Sequence, residues 1–199
     1  MPVSRPYDRQ DVQHFERWSR TYEGSWMQRR LFDPVHQATL DFAATLPAPA
    51  SVLDVGCGTG RLLRAVASRW PYAHLIGVDP AQGMVEAARA LTPGADIQRG
   101  LAEALPLPDA SVDLAVSTLS FHHWGDQSAG VREIARVLRP GGHFILADFA
   151  PPSTLARLRL TGRAQPRAER QRIFEAAGLR VERSRDIVYP FILATLAAR

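Results

Sequence analysis

Between residues 51 and 148, short apolar runs alternate with segments in which apolar residues recur every third or fourth position. Ser51-Val-Leu-Asp-Val55 is a β-branched run that stops at Gly56 and predicts a buried strand entering a tight turn. Leu62, Leu63, Val66, Ala67 and Trp70 then share one helical face, and Pro71 ends that helix. His74-Leu-Ile-Gly-Val78 predicts a second strand closed by Asp79-Pro80, and the helix after it carries Met84, Val85, Ala88 and Leu91 as far as Pro93-Gly94. A third strand is predicted near residues 95–100, followed by the proline-punctuated loop Leu105-Pro-Leu-Pro108 and a fourth strand over Val112–Thr118. Val131, Ile134, Ala135 and Leu138 recur at helical spacing, Pro140-Gly141-Gly142 breaks that helix, and His143–Ala147 predicts a fifth strand.

Strand and helix alternating at this short spacing predict an α/β fold, a doubly wound sheet with helices on both faces. Residues 8–46 read as one or two helices, and residues 167–177 as a helix capped by Gly178. Two further strands, Leu179–Ile187 and Phe191–Leu196, are joined across Tyr189-Pro190. That joint is too short for a crossover, so the pair must be antiparallel. The expectation is one domain over residues 1–199, with a seven-stranded sheet that is mostly parallel and has one antiparallel strand near the C-terminus. Residues 1–46 form a helical lid, 50–148 the core, and 167–199 the last helix and strand pair.

Composition narrows the class. With 46% hydrophobic and 22% charged residues the chain reads as globular. No stretch approaches 18 uninterrupted apolar residues, so no membrane span is expected. The first thirty residues lack the apolar core of a signal peptide, which makes a cytoplasmic location the expectation. Cys57 is the single cysteine, so no internal disulfide is available. All 24 basic residues are arginine, and residues 151–199 carry ten of them against four acids. The run Arg157, Arg159, Arg163, Arg167, Arg170 and Arg172, opposed only by Glu169, reads first as a solvated helix face. The other reading is a surface that steers an anionic acceptor or nucleic acid.

Candidate chemistry begins at Gly56-Cys57-Gly58-Thr59-Gly60, between the first strand and the first helix. Glycines there let backbone approach a ligand, and a helix start offers amide donors. A dinucleotide loop needs a small residue at position 61, where this chain has Arg61, and no Gly-Lys-Ser/Thr follows to make a phosphate loop. Asp79 ends the second strand, where a carboxylate can accept both ribose hydroxyls of an adenosine. A turn-forming Asp before Pro80 is the plainer reading. Together these features point to an adenosine-bearing cofactor without a pyrophosphate.

Val52-Leu-Asp-Val-Gly-Cys-Gly-Thr-Gly60 resembles the first motif of the class I S-adenosylmethionine-dependent methyltransferases, which have a Rossmann-like fold. Three further stretches match in order: Ile76-Gly-Val-Asp79-Pro80 with Met84; Ala102-Glu-Ala-Leu-Pro-Leu-Pro-Asp109 with Val112-Asp113-Leu114; and Arg132–Gly142. Within the family the likeness is to small-molecule enzymes of the quinone-biosynthesis type. The resemblance implies S-adenosylmethionine as cofactor and S-adenosylhomocysteine as product. It implies that Asp54 and the backbone of the turn Val55-Gly56-Cys57-Gly58 hold the methionine amino and carboxylate groups, that Asp79 takes the ribose, and that Pro80 and Met84 pack on the adenine. The amide of Ala102 would meet a ring nitrogen, Ser117 would line the methionine side through its backbone, and Tyr22 would close over the cofactor. The family usually has an acid where this chain has Leu101, which removes an acceptor for the adenine amine.

Methyl transfer from a sulfonium is an in-line displacement in which alignment and exclusion of water dominate. A base is needed when the acceptor is a hydroxyl or a carbon acid. His122 and His123 follow the fourth strand at the ligand-binding edge, and one of them is the candidate, with Trp124 or Tyr22 as wall. The alternative is that the pair caps the next helix or packs under the cofactor. Cys57 reads as a packing residue. Ser117-Thr-Leu-Ser120 lacks the Asn/Asp-Pro-Pro-aromatic signature of adenine and glutamine-amide methylation, so a small-molecule acceptor is expected. The rivals are an RNA or protein methyltransferase, a non-catalytic binding module with the same fold, and an aminopropyl transferase. No metal site is expected.

Overall fold

A computed structural model describes Glu23, Trp26, residues 28–152 and residues 163–199. A π-helical turn, Gln28–Phe32, leads into α1 (Asp33–Ala43). The core then runs β1 (Ser51–Val55), α2 (Arg61–Arg69), β2 (His74–Asp79), α3 (Gln82–Leu91), β3 (Asp96–Arg99), β4 (Val112–Thr118), α4 (Gln127–Val137) and β5 (Leu138–Phe149). The chain closes with α5 (Arg167–Ala176), β6 (Arg180–Asp186) and β7 (Ile192–Ala198). The seven strands pair in the order β3-β2-β1-β4-β5-β7-β6. Adjacent strands are parallel from β3 to β5, and β7 runs antiparallel to both β5 and β6, as the short Tyr189-Pro190 joint requires.

The pleat sends alternate residues of each central strand into two cores. Val52, Leu114, Val116, Ile145 and Ala147 face α1, α2 and α3 through Val35, Leu62, Leu63, Val66, Val85 and Ala88. Leu53, Val55, Ala115, Phe144 and Leu146 face α4 and α5 through Val131, Ile134, Val137, Ile173 and Phe174. The two-sided burial explains why these strands read as continuous apolar runs.

Two expectations are corrected. The fifth strand begins at Leu138, five residues before His143, and takes in Pro140-Gly141-Gly142. Gly141 has φ +80, and a Cβ on Gly142 would stand 2.9 Å from the Arg139 carbonyl and 3.0 Å from that of Asp113. Glycine therefore lets the strand pass through an irregularity instead of ending the element. The basic run, for its part, is not a uniform solvated face. Arg172 is exposed beside Glu169, but Arg170 is fully buried and donates to the carbonyls of Leu193 (2.7 Å), Asp148 (3.1 Å) and Phe149 (3.1 Å). Arg157 and Arg159 lie outside the described residues.

At the other end of the chain, the Glu23 carboxylate takes hydrogen bonds from the Thr59 hydroxyl, Arg61 (2.7 Å) and Arg64 (2.9 Å). Asp33, the first residue of α1, pairs with Arg61 through both oxygens. Partial burial would raise the Glu23 carboxyl, but the Thr59 hydroxyl, then Arg64 and Arg61, outweigh that cost and hold it below its ordinary range. On α5, Arg170→Met is expected to strip donors from the carbonyls of Leu193, Asp148 and Phe149. The loss is about 3 kcal/mol of stability, read by urea denaturation.

Candidate active site

A cavity of about 260 Å³ lies over the carboxyl ends of the parallel strands. The turn after β1 contributes Val55, Gly56 and Gly58; the end of β2 and the start of α3 contribute Asp79, Pro80 and Met84; Gly100 and Ala102 follow β3. Thr118 comes from the end of β4, Leu119, Ser120, His122, His123 and Trp124 from the segment after it, Phe149 from β5, and Leu31 and Phe32 from the turn before α1. A second cavity of about 20 Å³ shares Phe32, Gly56, Gly58 and Thr118 as walls and adds Gln28, His36, Asp54, Cys57, Thr59 and Arg61.

The glycine turn is held against the neighbouring loop. Gly56 and Gly60 have φ +77 and Gly58 φ +53, conformations open to glycine at little cost. A Cβ on Gly56 would stand 2.2 Å from Ser120 Oγ. That hydroxyl donates to the Val55 carbonyl (3.1 Å) and accepts from Trp124 Nε1 (3.1 Å). Leu119, with φ +52, bends the chain off β4 to bring Ser120 there. The turn's N–H groups are already in use: Gly56 and Cys57 donate to the Val78 carbonyl and Gly58 to Asp79 Oδ2 (2.9 Å).

Three buried carboxylates meet the site in different surroundings. Asp79 also accepts from the Ala81 amide at Oδ1 (2.9 Å), so it is both the turn-forming residue before Pro80 and a cavity wall. Asp54 is 1% exposed, and its Oδ1 has no hydrogen-bond partner among the described residues. Burial, then the nearby charge of Asp79, pushes its carboxyl up to about 8. Asp148 is fully buried; burial alone would raise it, but His122 and then Arg170 hold it below the ordinary range. Burial pushes Arg170 itself down to about 10 against the opposing pull of Asp148.

Asp148 separates the two candidate histidines. Its Oδ1 lies 2.7 Å from His122 Nδ1, and its Oδ2 accepts from the His122 backbone amide at 3.3 Å. The His122 ring also meets Phe149 edge-on and lies beside that of His123. Neither imidazole caps α4, because Asp126 does so by accepting from the Ala129 amide. The sequence reading missed Asp148, whose signal is an isolated acid closing the apolar run Phe144-Ile-Leu-Ala147.

Of the other expected residues, Val55, Gly56, Gly58, Asp79, Pro80, Met84 and Ala102 line the larger cavity, and Asp54 and Cys57 the smaller. Burial pushes the Cys57 thiol far up, in keeping with a packing role. Ser117 and Leu101 line neither cavity. Ser117 is a fully buried strand residue paired with Leu146, and Thr118 takes the wall position after it; Leu101 is drawn into a bridge with Ala104. Tyr22 lies outside the described residues. Among the described residues no group of histidines, cysteines or carboxylates could hold a metal ion, and no helix is long and apolar enough to cross a membrane.

Residues 53–146 match the family model of a methyltransferase domain. A probable S-adenosylmethionine-dependent methyltransferase of Mycolicibacterium smegmatis is 35% identical over 185 residues, covering 89% of this chain and 68% of that protein. The chain belongs to the S-adenosylmethionine-dependent methyltransferase family. A malonyl-[acyl-carrier protein] O-methyltransferase of Methylococcus capsulatus is 41% identical over 121 residues, covering 59% of this methyltransferase-family chain and 44% of the relative. This chain spans about half the length of such relatives. The crystal structure of YcgJ from Bacillus subtilis superposes with a TM-score of 0.65 at 32% identity, over 76% of this chain and 71% of that one.

The unmatched Asp54 has a measurable consequence. Its folded-state carboxyl binds a proton up to about pH 8, against an ordinary value of 3.8. Stability from this group is complete below pH 3.8 and is lost as pH rises to about 8. Asp54→Asn is therefore expected to melt progressively higher than the wild type between pH 4.5 and pH 8, followed by calorimetry of the ligand-free proteins.

Proposed function

We propose that the protein transfers the methyl group of S-adenosylmethionine to a hydroxyl-bearing small molecule, with His122 as general base and Asp148 as the residue that positions it. The observation that carries this reading is the buried Asp148 carboxylate, 2.7 Å from His122 Nδ1, on a histidine that lines the same cavity as the glycine turn and Asp79. A carboxylate at Nδ1 fixes the proton there, so that Nε2 carries the lone pair and can accept a proton from the acceptor hydroxyl. It also stabilises the imidazolium that forms.

The residues present fit the cofactor. Asp54 Oδ1 is a buried acceptor in want of a cation, which an α-ammonium would supply. The Gly56 turn has no room for a side chain against Ser120, consistent with bare backbone beside a ligand. Asp79, fixed by two amides, would accept the ribose hydroxyls, with Pro80, Met84 and Ala102 around the adenine. When bound, S-adenosylmethionine supplies an electrophilic methyl group. The chain's own part is to align the acceptor against it and keep water away, which the apolar walls Leu31, Phe32, Trp124 and Phe149 favour. Those walls and the enclosed volume support a compact acceptor over a nucleic acid.

Saturable binding of S-adenosylmethionine and S-adenosylhomocysteine is expected by calorimetry. Asp79→Ala should weaken both by about tenfold or more, and no binding by the intact protein would overturn the proposal. With radiolabelled cofactor and a panel of phenols, enols and carboxylic acids, transfer to hydroxyl acceptors is expected. His122→Asn and Asp148→Asn should each lower kcat about 100-fold while leaving S-adenosylhomocysteine affinity unchanged. Undiminished kcat in both variants would remove the base from the mechanism.

A further inference from the structure

The 20 Å³ cavity holds a second buried side chain with unmet polar atoms. Gln28, in the turn before α1, is 1% exposed, and neither Oε1 nor Nε2 has a hydrogen-bond partner among the described residues. Asp54 Oδ1, also without a partner, lines the same cavity. Buried polar atoms are rarely left in this state, and three at one small cavity mark a place where a ligand group completes the structure.

The chemistry of that group follows from the atoms it must satisfy. An amide with both ends unmet calls for a partner that donates to its oxygen and accepts from its nitrogen. An unmet carboxylate oxygen beside it calls for a cation. A carboxylate entering the cavity would find few donors nearby. The N–H groups of Gly56, Cys57 and Gly58 are spent on Val78 and Asp79, and the Arg61 guanidinium is spent on Glu23 and Asp33. Gln28 Nε2 is a buried donor in want of an acceptor.

We propose that Gln28 binds the amino-acid end of the cofactor, its Nε2 donating to the α-carboxylate and its Oε1 accepting from the α-ammonium, with Asp54 as the second acceptor for the ammonium. This rests on the reading of the site as one for S-adenosylmethionine. It gives the segment before α1 a part in recognition and makes the site selective for nucleosides that carry the zwitterion.

Two ligands separate the two levels of the proposal. S-adenosylhomocysteine carries the amino-acid end, and 5′-methylthioadenosine shares the nucleoside but lacks that end. Calorimetry on the wild type, Gln28→Met and Gln28→Leu is expected to show at least about a tenfold loss of S-adenosylhomocysteine affinity in both variants, with 5′-methylthioadenosine changed less than about twofold. Equal losses for both ligands, or no loss for either, would overturn the role of Gln28 while leaving the methyltransferase reading intact. A wild type that binds neither ligand would overturn that underlying reading instead.

Discussion

The architecture depends on where the sheet changes direction. From β1 the chain steps outward to β2 and β3 with α2 and α3 on one face; it then returns to β4 on the other side of β1 and steps outward again with α4 and α5 on the opposite face. Connections leaving β1 and β4 on opposite faces leave a crevice above their carboxyl ends, as in other open parallel sheets. The two connections still touch at one point, where the Gly56 backbone lies against Ser120. That contact sets the floor of the larger cavity, because Ser120 ties the β1 turn to Trp124 and Leu119 bends to reach it.

Burying an acid is costly unless something compensates the charge, and this protein buries three of them around the crevice in three ways. Asp79 is met by backbone amides, Asp148 by an imidazole with an arginine behind it, and Asp54 by no partner among the described residues. The gradation separates what the fold does for itself from what it leaves to a ligand. Asp79 and Asp148 are compensated by loops and strands, whereas Asp54 Oδ1 has no hydrogen-bond partner among the described residues.

Much of this was legible in the residues, for reasons that also explain the gaps. Strands β1, β2 and β4 are apolar on both faces and end at glycine, aspartate-proline or polar turns, so period and punctuation agree. The reversed strand followed from the length of a joint. The start of β5 was hidden because Pro140-Gly141-Gly142 carries the local marks of a turn, and only the neighbouring strand shows pairing on both sides of it, at Leu138 and again from His143. Asp148, Arg170 and Gln28 were opaque for a different reason. Most of the groups around them lie more than twenty residues away, and a charged residue in an arginine-rich helix gives no sign that it turns inward.

The carboxylate of Glu23 illustrates how unequal two anchors of one segment can be. Helix α1 is held chiefly by Val35, Leu40, Phe42 and Ala43 in the apolar core, a grip that charge screening does not weaken. Glu23 holds on through charge and hydrogen bonds to partly exposed arginines and one hydroxyl, at distances that mobile ions penetrate. Concentrated salt would therefore weaken the Glu23 contacts while the apolar seat of α1 persists. Thr59 and Arg61, which Glu23 grips, also line the smaller cavity, so the electrolyte acts on the rim of that cavity and not on the core beneath it.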